Sequence, residues 1–294
     1  MAFMSQAEPR RGPLLVVGGS EAKEPGAPIL GTLVALAGGT DARIALIPTA
    51  SRDAAGKERL YGDLFRGMGV RHVTCLPIES REEANREDFV QAVYDSTAVF
   101  LTGGDQNRIS ALLGGTEVAK AMHRANKTGL VVAGTSAGAS AISEHMIAEG
   151  GTGLHPRKHM LHLAPGLGLL RRVVVDQHFL QRQRLGRLLS IVAQNPFVLG
   201  IGVDEDTAVL VEQDYRMQVI GSGMVTILDG RELAESNVLT AEPGALLAMG
   251  NVRMHMLPAG WTYNIETRTL LGAFPLPPSA RASDTGEILA HPGP

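Results

Sequence analysis

The chain has 294 residues, of which 44% are hydrophobic and 19% charged, a balance typical of a folded globular protein rather than a disordered one. Its formal charge of -3 provides no overall basic field that would hold nucleic acid by its phosphates, so any anionic ligand must be bound by a local cluster of cations. A single cysteine, Cys75, excludes an intrachain disulfide and disfavours a cysteine-based zinc site.

The beginning of the chain contains no targeting signal that we recognise. Residues 1–12 are polar and include Arg10 and Arg11, but no apolar core of a signal peptide follows them. No stretch of the sequence is long and apolar enough to cross a bilayer. We therefore expect a cytoplasmic protein that binds neither membranes nor nucleic acid.

From Leu14 to Asp204, short apolar runs alternate with segments of helical spacing, which is typical of parallel β-α-β units. The predicted strands are Leu14–Val17, Ile44–Pro48, His72–Leu76, Ala98–Leu101, Leu130–Ala133, Val173–Asp176 and Leu199–Val203. The predicted helices are Pro28–Ala37, Ala54–Met68, Asn85–Tyr94, Thr116–Asn126, Ala137–Ala148 and Arg182–Ala193. Because the strands are apolar on both faces, we expect an α/β fold whose mostly parallel central sheet is flanked by helices on both faces.

After Asp204 the pattern changes to short strands separated by glycine and Asp-Gly turns. These predicted strands are Thr207–Val211, Met217–Ile220, Met224–Leu228 and Val252–Leu257. They indicate antiparallel C-terminal strands, which either extend one edge of the sheet or form a small appended layer. Since no linker separates them, we predict a single α/β domain over residues 1–272, with 207–272 as its antiparallel part and a flexible tail at 273–294.

The segment Gly134-Thr135-Ser136-Ala137-Gly138 follows an apolar strand, precedes a predicted helix and matches the motif G-x-S-x-G. In that motif the serine hydroxyl is raised above the end of the strand, and the next backbone N–H faces a developing oxyanion. The motif can also arise by chance in a chain with 35 glycines, but the strand before it and the helix after it favour function. We predict Ser136 as the nucleophile of acyl transfer and the amide of Ala137 as part of an oxyanion hole.

His178 is the candidate base, because it lies just past the strand Val173–Asp176. Ligands of open α/β sheets bind beyond the carboxyl ends of the strands, so Ser136 and His178 can meet in one crevice. There His178 can take the serine proton and return it to the leaving group, although a structural histidine is the alternative. The histidines nearer Ser136 in sequence have no strand to orient them, and we assign them structural roles: His123, His145, His155, His159 and His162.

Two further polar segments follow predicted strands. Arg182, Arg184 and Arg187 lie near the start of a predicted helix, where cations oppose the macrodipole, so an acidic substrate is one interpretation and an internally paired or solvated surface the other. In the loop after Leu101, glycines let the amide of Gly104 approach a substrate oxygen, and Gln106 can bind a substrate amide. An ordinary glycine-rich turn is the alternative for that loop.

Four segments, in this order along the chain, resemble the cyanophycinases, which belong to the peptidase family that also contains aspartyl dipeptidase. They are Gly103-Gly104-Asp105-Gln106, Gly134-Thr135-Ser136-Ala137-Gly138-Ala139, Asp176-Gln177-His178-Phe179 with Gln181-Arg182-Gln183-Arg184, and Gly200-Ile201-Gly202-Val203-Asp204-Glu205-Asp206-Thr207-Ala208. The resemblance covers roughly Leu14 to Leu228. The loop Gly18–Lys23 also resembles the family's opening loop, with Ala22 where an acid is expected.

The resemblance implies a fold like that of class I glutamine amidotransferases, a homodimer, and neither a metal nor an organic cofactor. It implies that the substrate is cyanophycin, a poly-aspartate with arginine joined to each side-chain carboxyl, or a related β-aspartyl peptide. The product would be the β-aspartyl-arginine dipeptide, and exo- or endo-cleavage is left open. The residues that the resemblance assigns to the substrate site, beside Ser136 and His178, are Gln106, Asp176, Gln177, Arg182, Arg184 and Arg187.

The third member of the triad is the point at which this sequence departs from the expected pattern. An acidic residue is expected between serine and histidine, yet residues 150–175 contain no Asp or Glu. We favour Glu149 over Glu144 as the acid that orients His178. Support from a backbone carbonyl or from Gln177 is also conceivable.

Two alternatives to a cyanophycinase remain at this point. One is an aspartyl or isoaspartyl dipeptidase, or another acyl hydrolase, on the same scaffold. The other is a non-catalytic protein that binds an acidic ligand through its arginines. Small aspartyl dipeptides discriminate the first, and a serine-directed acylating reagent discriminates the second, because a serine without a base is a weak nucleophile.

Overall fold

The computed structural model describes residues 11–24 and 26–280, whose strands form a nine-stranded sheet, a four-stranded sheet and a two-stranded sheet. The strands are β1 (Leu14–Val17), β2 (Arg43–Ile47), β3 (His72–Cys75), β4 (Ala98–Leu101), β5 (Val131–Thr135), β6 (His145–Gly150), β7 (Leu161–Pro165), β8 (Val173–Gln177), β9 (Leu199–Val203), β10 (Thr207–Val211), β11 (Arg216–Gly221), β12 (Val225–Asp229), β13 (Arg253–Leu257), β14 (Trp261–Asn264) and β15 (Thr269–Ala273). The helices are α1 (Pro28–Leu36), α2 (Ala54–Gly67), α3 (Glu87–Asp95), α4 (Gln106–Leu113), α5 (Glu117–Asn126), α6 (Ala137–Ile142) and α7 (Leu185–Gln194).

The nine-stranded sheet has the order β15-β14-β11-β10-β1-β5-β4-β2-β3. Strands β1 to β5 are parallel to one another, and β10, β11, β14 and β15 extend the β1 edge in antiparallel fashion. Along β1, Leu15 and Val17 pack in the same cluster as residues of α1 and α2, whereas Leu14 and Val16 join the cluster on the other face. The predicted α/β fold, with a parallel central sheet between two helical layers and C-terminal antiparallel strands, is confirmed.

The four-stranded sheet has the order β13-β12-β9-β8 and contains two of the strands predicted for the parallel sheet. Strands β8 and β9 pair in parallel with each other, and β12 and β13 continue from β9 in antiparallel fashion. At residues 204–206 the chain crosses from β9 into β10 of the nine-stranded sheet. Hydrophobic periodicity reports only that a strand is buried, so it predicted these strands but not their partners.

The helix predicted over Ala137–Ala148 is wrong beyond Ile142. Ser143 has an extended backbone, and its hydroxyl accepts a hydrogen bond from Val175 N–H at 3.2 Å, which ties the chain to β8. The following residues form β6, which pairs antiparallel with β7.

The helix predicted from Arg182 begins instead at Leu185. The sequence analysis did not predict α4, which is capped by the Asp105 carboxylate accepting from Asn107 N–H at 2.9 Å.

The first part of the predicted tail lies against α1. The Gln218 side-chain amide donates to the carbonyls of Phe274 and Pro275, and Ala280, in a 3₁₀ turn, is buried. Residues 281–294 lie outside the described residues, so the flexible tail and the single domain stay predictions. Among residues 11–24 and 26–280, no helix has the length and apolar character needed to cross a membrane.

Candidate active site

The turn at Ser136 joins β5 to α6 and holds the serine in a strained backbone conformation. Ser136 has φ 53° and ψ -114°, a backbone conformation that residues other than glycine rarely adopt outside a turn of this kind. A Cβ atom added to Gly134 would lie 2.4 Å from the carbonyl oxygen of Gly138, so the turn is closed too tightly for a larger residue at that position. The Ser136 N–H donates to the Val17 carbonyl at the end of β1, at 3.0 Å.

Helix α6 explains why small residues follow the serine. All six of its residues are buried, and the helix packs between the nine-stranded sheet and β8 of the four-stranded sheet. A Cβ on Gly138 would lie 2.4 Å from the Leu101 carbonyl oxygen of β4. The run of Ala, Gly and Ser therefore reflects close packing between two sheets rather than chance composition.

Ser136 and His178 face each other across this junction. Ser136 Oγ lies 2.9 Å from His178 Nε2, within hydrogen-bonding distance. The backbone N–H of His178 donates to the Gly18 carbonyl at 2.8 Å. Gly18 directly follows Val17, whose carbonyl accepts from the backbone N–H of Ser136. Two consecutive carbonyls at the end of β1 thus hold both residues, although β5 and β8 belong to different sheets.

Glu205 completes the hydrogen-bonded line. Its Oε1 lies 2.6 Å from His178 Nδ1, and its side chain is about one-third exposed. Glu205 is in the crossover from β9 to β10, where its N–H donates to the Gln181 side-chain oxygen at 3.1 Å. The next amide, that of Asp206, donates to the Gly19 carbonyl at 2.9 Å, so the crossover is fastened to the loop after β1.

The expectation that Glu149 orients His178 is corrected by this geometry. Glu149 lies in β6, opposite His162 of β7, and is exposed. Glu144 makes an exposed ion pair with Arg171 at 3.4 Å. Glu205 follows β9 as His178 follows β8, so its position past the end of a strand was a signal in the sequence. It was missed because the acid was expected between the serine and the histidine.

The protonation states of His178 and Glu205 suit general-base catalysis. Burial lowers the pKa of His178, an effect that the hydrogen bond donated to Glu205 opposes and the nearby Arg182 charge reinforces. The hydrogen bond with His178 lowers the pKa of Glu205. The neutral imidazole and the ionised carboxylate are therefore both favoured at neutral pH, which leaves Nε2 able to accept a proton from Ser136.

The glycine loop after β4 lies directly against the serine. A Cβ on Gly103 would be 3.1 Å from Ser136 Cβ, and Gly104, with φ 152°, lines the same cavity as Ser136. The structure thus brings the predicted Gly104 beside the nucleophile, and Ala137 begins α6 next to it. Gln106 has another role, because its side-chain amide donates to the Ile147 and Ala148 carbonyls at 2.9 and 3.0 Å and so supports β6.

The arginine cluster is largely paired within the protein. Asp176 is buried and receives two hydrogen bonds from Arg187 and one from Arg184, the last at 3.1 Å. Burial lowers the pKa of Arg184 to about 10 despite that pairing. The prediction that Asp176, Arg184 and Arg187 bind substrate is therefore corrected, because all three are buried and the carboxylate of Asp176 already binds both guanidinium groups. Gln177 is also buried, whereas Arg182 is exposed.

A cavity of about 490 Å³ opens beside Ser136 and His178. Its wall includes cations that the sequence analysis did not single out, Lys23, Arg52 and Lys57, together with the carboxylates of Glu21 and Asp105. Arg52 and Lys57 come shortly after β2, so they too lie beyond the carboxyl end of a strand. Arg52 and Lys57 therefore share with Ser136 and His178 a position past the end of a strand, which is the signal for them in the sequence.

Comparison with known proteins places the chain among hydrolases. Residues 14–219 match the model of peptidase family S51, a span that includes the three residues of the hydrogen-bonded line. The chain is 40% identical over 269 residues to a cyanophycinase of Synechococcus elongatus, covering 91% of this chain and 84% of that protein. It is 42% identical over 261 residues to a cyanophycinase of Nostoc sp., covering 88% of each. The crystal structure of a peptidase from an acI-B1 Actinobacterium superimposes with a TM-score of 0.60 at 25% identity, covering 84% of this chain and 98% of that one.

Proposed function

The chain belongs to peptidase family S51, and from that premise we propose that it is a cyanophycinase, a serine-type hydrolase that cuts cyanophycin to β-aspartyl-arginine dipeptides. The observation that carries the proposal is the line Glu205–His178–Ser136, with contacts of 2.6 and 2.9 Å, in a chain 40% identical to a cyanophycinase over 91% of its length. A binding protein would not need a serine held in a strained turn against a histidine.

The reaction begins when Ser136 Oγ attacks a backbone carbonyl carbon of the substrate while His178 Nε2 accepts the hydroxyl proton. The carbonyl oxygen becomes an oxyanion, for which the amides of Ala137 and Gly104 are the proposed donors. Collapse of this intermediate breaks the C–N bond, and His178 returns the proton to the leaving amine. A water molecule then attacks the acyl-enzyme with His178 again as base, which releases the acid and regenerates Ser136.

Glu205 acts through His178 rather than on the substrate. Its carboxylate accepts a hydrogen bond from Nδ1, which fixes the tautomer that leaves Nε2 free to accept a proton. It also stabilises the imidazolium that forms during attack. Arg182, exposed and close enough to His178 and Glu205 to affect their pKa values, is the remaining member of the predicted arginine set for a substrate carboxylate.

We also propose that the protein is a homodimer, as the resemblance of its motifs to those of the cyanophycinases implies, and that it acts in the cytoplasm. The proposed chemistry uses the side chains and backbone amides of this chain, without a cofactor. A single α/β domain with an antiparallel C-terminal part is proposed because no linker precedes the C-terminal strands, four of which extend the nine-stranded sheet.

Incubation of the purified protein with cyanophycin tests the proposal. We expect release of β-aspartyl-arginine, measured by chromatography, and a fall in kcat of about 10⁴- to 10⁶-fold in Ser136→Ala, because the nucleophile is removed. Ser96→Ala, at the end of α3 and away from the cavity, is the matched control and should keep full activity. Equal inertness of the wild type and Ser136→Ala would overturn the substrate assignment, and faster hydrolysis of small aspartyl dipeptides than of polymer would favour the dipeptidase.

A further inference from the structure

The cavity beside Ser136 contains two cations that the reaction described above does not use. Arg52 lies just before α2, and Lys57 lies close to the start of that helix. Within residues 11–24 and 26–280, neither side chain makes a hydrogen bond or an ion pair. Lys57 is half-buried and Arg52 is exposed, so both can reach a ligand in the cavity without first breaking a contact.

Three other cations near the site already have carboxylate partners, and Arg182, which is exposed, does not line the cavity. Lys23 Nζ lies 3.5 Å from the buried Glu21 carboxylate and donates to the Glu21 carbonyl at 2.9 Å. Arg184 and Arg187 share Asp176, as described above. The remaining cavity carboxylate, that of Asp105, caps α4 through its bond from Asn107 N–H. The unpaired positive charge in the cavity is therefore that of Arg52 and Lys57.

Helix stability does not account for these two cations. The N-terminus of α2 is capped by Asp53, whose carboxylate accepts from Gly56 N–H at 2.8 Å. Positive side chains near a helix N-terminus oppose the macrodipole and slightly destabilise the helix. Arg52 and Lys57 therefore place positive charge beside the nucleophile at a small cost, and an anionic group bound in the cavity would offset that cost.

The proposed substrate supplies such a group, and this step rests on the proposed function. In a β-aspartyl-arginine unit the arginine is attached through its α-amino group, so its own carboxylate remains free, while the aspartyl carboxyls within the polymer are all in amide bonds. Every repeating unit of the polymer thus carries one carboxylate, on the α-carbon of its arginine and next to the amide that joins the branch to the backbone. We propose that Arg52 and Lys57 bind the carboxylate of the arginine branch next to the scissile bond. The cavity of about 490 Å³ is within the usual range for a small-molecule site.

The test compares two short β-aspartyl-arginine oligomers. They differ only in whether the α-carboxyl group of each arginine is a free carboxylate or a carboxamide. The wild type should hydrolyse the acid form with the higher kcat/KM. In Arg52→Gln/Lys57→Gln, kcat/KM for the acid form should fall about 10- to 100-fold, mainly through KM, because charged hydrogen bonds are lost. Hydrolysis of the carboxamide form should change little, so the preference for the acid form should disappear.

Arg59→Gln is the matched control, since Arg59 is exposed on the same helix and does not line the cavity. It should keep the wild-type preference, and thermal unfolding checks that every variant is folded. An equal fall on both oligomers, or an unchanged preference in the double variant, would overturn the subsite. A wild type that degrades cyanophycin but does not distinguish the oligomers would overturn the subsite alone. A wild type inert toward cyanophycin and both oligomers would contradict the proposed function and the subsite with it.

Discussion

Glu205 reaches His178 from the crossover between two sheets, and its role can be separated by mutation from that of the other candidate acid. Glu205→Gln keeps the size of the side chain but removes the charge that stabilises the imidazolium and that fixes the tautomer of the neutral imidazole. We expect kcat on cyanophycin to fall about 10²- to 10⁴-fold. Glu149→Gln, at an exposed position of β6, should leave kcat unchanged. If both variants kept full activity, or if only Glu149→Gln lost it, the role assigned to Glu205 would be refuted.

The protonation of His178 sets the acidic limb of the pH profile. His178 acts as a base only when neutral, and burial lowers its pKa below the ordinary 6.5. We therefore expect kcat/KM to stay high through neutral pH and to fall as the pH drops through that lowered pKa. The nearby Arg182 charge also disfavours the imidazolium, so Arg182→Gln should raise the pKa and move the limb to higher pH. A limb that moved to lower pH, or that Arg59→Gln moved equally, would contradict this account.

At the scale of elements, the buried Asp176 joins the end of β8 to α7 through Arg184 and Arg187. Asp176→Asn would leave two buried guanidinium groups without a counter-charge. We expect the free energy of unfolding to fall by about 3–5 kcal/mol, measured by denaturant titration. Asp63→Asn, which breaks an exposed pair with Arg66 on α2, should cost about 1 kcal/mol or less. A stable Asp176→Asn protein with weakened substrate binding would instead restore Asp176 as a substrate ligand.

The elements also show which local patterns were informative. The apolar, β-branched runs predicted β1, β4 and β9 at the observed bounds, because a buried strand needs such residues whichever sheet it joins. The end of α6 was not predicted, because its small residues are compatible with a longer helix and the chain turns where Ser143 contacts β8. Such a contact between segments far apart in sequence has no local signature.

For the molecule as a whole, the active site exists because two sheets meet at the end of β1. The nine-stranded sheet carries Ser136, the four-stranded sheet carries His178, and Glu205 lies where the chain passes from one sheet to the other. The backbone carbonyls of Val17 and Gly18 accept hydrogen bonds from the backbone amides of Ser136 and His178 and so hold these two residues side by side. Catalytic geometry here therefore depends on the packing of both sheets around α6 and not on any one segment.

The sequence by itself determined the α/β class, the strained turn at Ser136 and the choice of His178, because strand periodicity and the glycine spacing of a tight turn are local properties. Only the tertiary structure decided that Glu205 rather than Glu149 meets His178, that Arg184 and Arg187 are occupied by Asp176, and that Arg52 and Lys57 line the cavity. The contact of Glu205 with His178 and the position of Arg52 and Lys57 beside Ser136 bring together segments distant along the chain, and the pairing of Asp176 with Arg184 and Arg187 joins the end of β8 to the start of α7. Which of several chemically equivalent charges becomes a partner depends on distance and burial, and these are set when the sheets pack together.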